Sequence, residues 1–396
     1  MKTKISLISI IFFFVSVISL AQDTTQTMSN ENLISEKSGI TKAIVTGGAF
    51  IDFSIDKKSD VKTNFNGTGF APIFLWKLSD KLFFESEVEV EIEDGETGID
   101  LEYAKFSYVL NKYMTIGAGR MLTPFGAYVE RLHPAFVEKF PNAPMMMHHM
   151  DGVHAIGANG AEMGVDVRGG FQLGDSKMNY AAYISNGPIL NNGSEDPMMA
   201  GSLEYENFFD NNSNKAVGGR IGFLPLSNSS LEIGVSGSSG IAGSAADSLY
   251  KNIRANAYAL DLTYIQSVKS IKSIIKITGQ LNSVTVDNAN YIDPMDSSGM
   301  MTYTFDNVSH VYYLQLAIRP ALLQKSFLKD VELLARYNSV TFPEEAMWGG
   351  GTTTRIDIGL CYWLSWRSGL RLAYESQKNP DGKSTNQFLI RFATGF

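Results

Sequence analysis

The sequence predicts an all-β fold: a transmembrane antiparallel β-barrel of about sixteen strands with a long third outer loop. Three observations lead there. Segments of about ten residues with alternating side-chain polarity recur along the chain, as a sheet with one greasy and one wet face requires. The connections between them alternate between very short polar turns and longer loops containing Gly, Asn, Asp and Pro. Beyond the N-terminal leader, no apolar run approaches the roughly eighteen residues of a membrane helix, so a membrane location demands a closed barrel.

The elements follow in order. Lys2 and Lys4 precede the apolar run Ile5 to Leu20, and Ser19-Leu20-Ala21 forms an A-x-A-like processing site, so residues 1–21 read as a secretory signal peptide. Residues 22–41 are polar, rich in Thr, Ser, Asn and Glu, and without period; they read as a flexible periplasmic lead-in. Residues 42–396 form the barrel. Strands are expected near 42–53, 65–77, 81–92, 99–110, 112–121, 160–173, 177–186, 215–226, 229–238, 254–266, 270–285, 304–319, 328–339, 354–364, 367–376 and 386–396. The tight turns are Ser79-Asp80, Asn111-Lys112, Gly174-Asp175-Ser176, Ser227-Asn228, Val268-Lys269, Gln324-Lys325-Ser326 and Ser365-Trp366. They and both barrel termini are expected on the periplasmic side, around an aqueous channel.

Individual strands display the pattern. Phe84, Ser86, Val88, Val90 and Ile92 share one face, while Glu85, Glu87, Glu89, Glu91 and Glu93 share the other; a row of carboxylates is stable only where it meets water. Ile356, Ile358, Leu360 and Tyr362 are expected toward lipid, with Arg355, Asp357, Gly359 and Cys361 inside. In the last strand Phe388, Ile390, Phe392 and Phe396 fall on the greasy parity, with Leu389, Arg391 and Ala393 opposite. Trp76, Tyr108, Tyr113, Trp363, Trp366 and Phe396 lie near strand ends, where an aromatic girdle would place them.

Composition agrees. Mean hydropathy is −0.04, and Gly 36, Tyr 17 and Phe 24 suit a sheet wet on one side only. A formal charge of −8 argues against a nucleic-acid partner. Cys361 is the one cysteine, so no intramolecular disulfide forms.

The stretch Gly119-Arg120, followed by Thr123-Pro124-Phe125-Gly126-Ala127-Tyr128-Val129-Glu130-Arg131-Leu132-His133-Pro134 and a third loop running from Leu122 to Asn159, resembles Gram-negative porins. It is similar in particular to the broad superfamily that includes the phosphate-selective porins O and P. The alternating strand ending in Phe396 likewise resembles the C-terminal signature of outer-membrane barrels. The resemblance implies a loop folded into the lumen, with Arg120, Glu130, Arg131 and His133 at the constriction and Glu85, Glu87, Glu89, Arg168 and Arg220 lining the pore. It further implies passive diffusion of small hydrophilic solutes or ions across the outer membrane, insertion by the barrel-assembly machinery among outer-membrane lipid, and a homotrimer. Phosphate-selective members carry dense lumen Arg and Lys. The wall here mixes Arg120, Arg168, Arg220, Arg319, Arg336, Arg355, Arg371 and Arg391 with Glu102, Glu162, Glu232, Glu332, Glu375 and the Glu row, which implies weak ion preference.

Met145-Met146-Met147-His148-His149-Met150-Asp151 with nearby His154 supplies soft ligands. It has no Cys, no fixed ligand spacing and no carboxylate cluster, so the expected role is packing on the wall and lining the pore; no metal or cofactor is expected. Enzymatic activity is not expected either. The chain lacks G-x-S-x-G, phosphate-loop, nucleotide and zinc signatures, and nothing marks Ser309 beside His310 as a nucleophile. The competing function is a non-conducting structural or ligand-binding outer-membrane barrel, of adhesin or metal-capture type.

Overall fold

Parity along a strand assigns each side chain to one face of a sheet, and in the computed structural model that sheet closes on itself. The structure describes residues 42–396 except 57–62, 94–95, 133, 148–153, 159, 206–207, 296–300 and 325; the segments expected to be a signal peptide and a lead-in lie outside the described residues. Its strands are β1 Lys42–Ile55, β2 Thr63–Lys77, β3 Leu82–Glu93, β4 Glu96–Asn111, β5 Met114–Leu122, β6 Ala161–Leu173, β7 Ser176–Ser185, β8 Ile189–Leu190, β9 Leu203–Glu204, β10 Ala216–Leu224, β11 Leu231–Ile241, β12 Arg254–Val268, β13 Ser273–Val286, β14 Tyr291–Ile292, β15 Thr302–Tyr303, β16 Val308–Arg319, β17 Val331–Phe342, β18 Gly351–Trp363, β19 Ser368–Lys378 and β20 Ser384–Gly395. β1–β7, β10–β13 and β16–β20 hydrogen-bond in sequence order as one closed antiparallel barrel.

Each expected segment corresponds to one barrel strand, with ends shifted by a few residues. The strand expected from 328 begins at Val331, because Phe327–Asp330 forms a 3-10 turn and Ser326 Oγ accepts the Leu328 N–H at 3.2 Å. The pairs β8–β9 and β14–β15 are ladders inside long connections. Two residues carry no period, so periodicity could not find them.

The outer face is apolar around the whole circumference. Ile51, Phe70, Phe106, Val165, Ile184, Leu260, Leu333 and Ile358 are all exposed. A contiguous belt of this kind marks a lipid-facing surface rather than one in water. Trp76 belongs to it, stacked on Phe74 at 5.5 Å and beside Phe84 at 5.4 Å. Trp363 does not. It shares the inward parity of Cys361, and its Nε1 donates to Glu332 Oε2 at 2.8 Å, which removes it from the expected girdle.

The seam between β1 and β20 closes by register and by charge. Gly48 pairs with Gly395 and Asp52 with Arg391. Arg391 Nε donates to Asp52 Oδ1 at 2.6 Å, and the guanidinium lies 4.1 Å over the Phe50 ring. Phe396 caps the seam: its N–H reaches Gly47 O at 3.1 Å and its ring stacks on Phe70 at 5.5 Å.

Candidate functional site

The third loop, residues 123–160, turns back into the barrel. Thr123 Oγ1 donates to Gly160 O at 2.9 Å and closes the loop base. The Pro124-Phe125-Gly126 turn depends on glycine. Gly126 sits at φ +68°, and a Cβ there would meet the Gln280 side chain at 2.2–2.4 Å. The next residues form one helical turn, Tyr128–Arg131. Its leading N–H groups find their acceptors on the barrel wall: Gly126 N donates to Ser236 Oγ at 3.0 Å, and Ala127 N and Tyr128 N both donate to Gln280 Oε1, at 2.8 and 3.0 Å.

Beyond that turn the loop crosses the lumen, pinned at each step by inward side chains. Arg371 donates to Ala135 O, Lys139 pairs with Glu332, and Arg355 donates to Ala143 O. Asn142 is held from both sides: its Nδ2 donates to Glu375 Oε2 at 2.6 Å, and Arg336 Nη2 donates to its Oδ1 at 2.6 Å. Arg336 is itself fixed by Asp357 at 2.7 Å and lies over the Phe140 ring at 4.4 Å. Phe136 reaches the β1–β20 seam, where a Cβ on Gly48 would approach its ring to 2.9 Å; glycine there leaves the ring its seat. On the return path, Asn282 Nδ2 donates to Ile156 O at 3.0 Å.

Among the described residues, the spaces that border the infolded loop include two lined by charged groups. One, of about 380 Å³, lies along β1–β3 and β20, and its lining includes Asp52, Glu87, Glu89 and Glu91 with Phe50, Phe136, Pro141, Asn142, Gln387 and Arg391. Across from the Glu row, β2 offers Gly69 opposite Glu91 and Ile73 opposite Glu87. The other, of about 250 Å³, is lined by Glu130, Arg131, Arg168, Asn179 and Arg220 among others. Here every charge has a partner. Arg168 is held by Glu130 and Asp166, Arg131 by Glu232 at 2.9 Å, Arg220 by Asp261 at 2.6 Å and by Glu232 at 3.0 Å, and Lys105 by Asp166 at 2.8 Å.

The residues singled out from sequence therefore fall in three places. Glu87 and Glu89 line the larger space; Glu85 stands in the same row opposite Lys105. Glu130, Arg131, Arg168 and Arg220 line the smaller one, away from the Glu row. Arg120 is in neither. It is 2% exposed, its Nε donates to Leu101 O at 2.7 Å, its Nη1 reaches Ala161 O, and the guanidinium lies 4.4 Å from the Phe208 ring. Arg120 has the parity of the exposed Ile116 and Ala118; it stitches β4, β5 and β6 to the connection 186–215 that carries Phe208, and its Nη2 lies 3.9 Å from Asp100 Oδ2. His133 lies outside the described residues.

Several lumen groups escaped the sequence reading. Asp52, Asp166 and Asp261 are the counter-ions of Arg391, Arg168 and Arg220. A signal existed for one of them, since Asp166 stands two residues before Arg168 and so shares its face. Gln280, Asn282 and Asn338 had none, because a neutral amide at an inward position looks the same whether it binds water or a loop.

Of the Met–His stretch, His148, His149, Met150 and Asp151 lie outside the described residues. Met147 is buried, its sulfur 3.7 Å from Asn282 Nδ2. His154 is fully buried where loops meet. Its Nδ1 accepts the Leu203 N–H at 2.9 Å and its ring stacks on Trp348 at 4.3 Å. Burial pushes its pKa down to about 3, so the imidazole is neutral and carries its proton on Nε2. Among the described residues no group of three or more His, Cys, Asp or Glu is disposed to hold a metal ion.

Closed antiparallel topology, apolar exterior and infolded loop define the architecture. The fold is that of outer-membrane porins. The anion-selective porin from Comamonas acidovorans is similar over 90% of this chain and 100% of that one, with a TM-score of 0.58 at 12% identity. The outer-membrane channel DcaP of Acinetobacter baumannii matches over 92% and 99%, with a TM-score of 0.55 at 13% identity. OmpF of Salmonella typhi, in complex with daunomycin, matches over 92% and 99%, with a TM-score of 0.54 at 12% identity. At the level of sequence, no family model and no curated protein matches.

Proposed function

We propose that the chain is an exported Gram-negative outer-membrane porin through which small hydrophilic solutes and ions diffuse, and that cations are favoured. The observation that carries this reading is the acidic space beside the infolded loop. Asp52, Glu87, Glu89 and Glu91 line it, against Arg391, which Asp52 already holds. Charge rings at a narrowing set which ions pass. The charges lining the smaller space are matched, so it contributes little bias. The third loop acts as the constriction. The porin fold and the resemblance to the superfamily of porins O and P support that role; the acidic wall argues against phosphate as cargo.

The membrane reading brings its partners: outer-membrane lipid around the belt, the barrel-assembly machinery during insertion, and two further copies in a trimer. A non-conducting binding barrel is the second reading. It draws on the aromatic packing of Tyr250, Tyr291, Phe305 and Trp348 among the long loops. Purified protein in a planar bilayer, with a salt gradient across it, separates the two. The porin reading expects stepwise conductance with a cation-selective reversal potential. A folded barrel that inserts and passes no current refutes it.

A further inference from the structure

The two ends of the barrel differ in charge. The long connections carry mostly acids, among them Glu195, Asp196, Asp247, Asp293, Glu344 and Glu345. The short turns carry mostly lysine and arginine, and this bias concentrates on three neighbouring turns: 269–272 between β12 and β13, 320–330 between β16 and β17, and 364–367 between β18 and β19. The first two touch, since Leu322 N donates to Lys272 O at 3.1 Å. Lys269, Lys272 and Lys329 are exposed.

These turns also display large apolar groups that no hairpin needs. Phe327 is 71% and Trp366 77% exposed, and Ile271, Leu322 and Leu364 are exposed beside them. Arg367 lies 3.9 Å over the Trp366 ring, so cation and aromatic share one site. Exposed apolar tips with interleaved ammonium groups suit the boundary where acyl chains meet charged headgroups. Neither water nor a neutral leaflet accounts for both features.

We propose that the short-turn rim from β12 to β19 is a docking surface for anionic phospholipid headgroups. This rests on the transmembrane reading of the barrel. The apolar tips enter the acyl boundary, and the three lysines sit at headgroup level, where each favours an anionic lipid by about fivefold at low ionic strength. The rim thereby anchors this side of the barrel in one leaflet and resists vertical slippage.

The test compares folded protein in vesicles of dioleoylphosphatidylcholine alone with vesicles in which about a third is dioleoylphosphatidylglycerol, at low salt. Symmetric vesicles place the rim in an anionic leaflet whichever way the barrel inserts. Lipids retained after detergent extraction are read by native mass spectrometry. The protein should retain phosphatidylglycerol well above its share. The variant Lys269→Gln/Lys272→Gln/Lys329→Gln should lower the ratio of retained phosphatidylglycerol to phosphatidylcholine at least about tenfold, as should salt that shortens the screening length to a few ångströms. Lys383→Gln, on the 379–383 connection at the opposite rim, should leave it unchanged. Equal retention of both lipids by a heat-resistant inserted barrel overturns the proposal and leaves the membrane reading standing, as does enrichment that survives the triple change. Failure to insert into either vesicle overturns both.

Discussion

Replacing Glu89 and Glu91 together by Gln tests whether ions travel along the acidic wall. A space of about 380 Å³ has an equivalent radius of about 4.5 Å, so an ion near its centre lies on the order of 6 Å from each carboxylate. In bulk-like water that separation gives about 0.7 kcal/mol per charge, and screening at physiological ionic strength roughly halves it. Two neutralised carboxylates thus remove about 0.7–1.4 kcal/mol of cation stabilisation, a three- to tenfold fall in cation partitioning into the space, and an equal relief of anion repulsion, so the cation-to-anion permeability ratio should fall roughly ten- to hundredfold. The change of Glu to Gln preserves shape, so conductance steps should persist while the reversal potential in a salt gradient moves toward zero. Asp381→Asn, on an exposed outer turn, serves as the control. A reversal potential unchanged in the double variant, with normal conductance, refutes the acidic route.

Four further outcomes follow from the same geometry. Gln280→Leu strands the buried N–H groups of Ala127 and Tyr128 at about 1–3 kcal/mol each, so the third loop should loosen, raising single-channel conductance and lowering the temperature at which the barrel unfolds on a gel. His154 has a folded pKa of about 3 against about 6.5 unfolded, so below pH 6.5 the unpacked state of the loops around it binds more protons; the stability of that loop packing should decline as pH falls toward 3, by an amount on the order of 5 kcal/mol, and hydrogen exchange at Leu203 should lose that pH dependence in His154→Phe. Deleting Phe396 removes its stack on Phe70 and its bond to Gly47 O, and should reduce the yield of heat-resistant folded barrel more than the conductance of the molecules that do assemble. With Cys361 replaced, an impermeant thiol reagent on whole cells should label Ser194→Cys and spare Ser227→Cys; the reverse pattern inverts the proposed orientation.

The alternation of Glu85 to Glu91 with Val88, Val90 and Ile92 was enough to fix a strand and its wet face, because parity in an extended chain is a local property. The short and long connections then gave strand order, and closure followed since a lipid-facing sheet tolerates no open edge. Arg120 was expected at the constriction from the resemblance; in the structure it shares the parity of Ile116 and Ala118, a pattern that expectation did not weigh. Partner choice was another matter. Arg391 meets Asp52 across 339 positions, and Arg336 meets Asn142 across 194. Those encounters depend on barrel stagger and on the path of the third loop. No window of sequence encodes either, because the N–H groups that lead into the loop's helical turn are satisfied by Gln280 and Ser236 on distant strands. Strand parity determined which face of the sheet most residues take; the tertiary structure decided which of the inward charges are neutralised, and so where an acidic space remains.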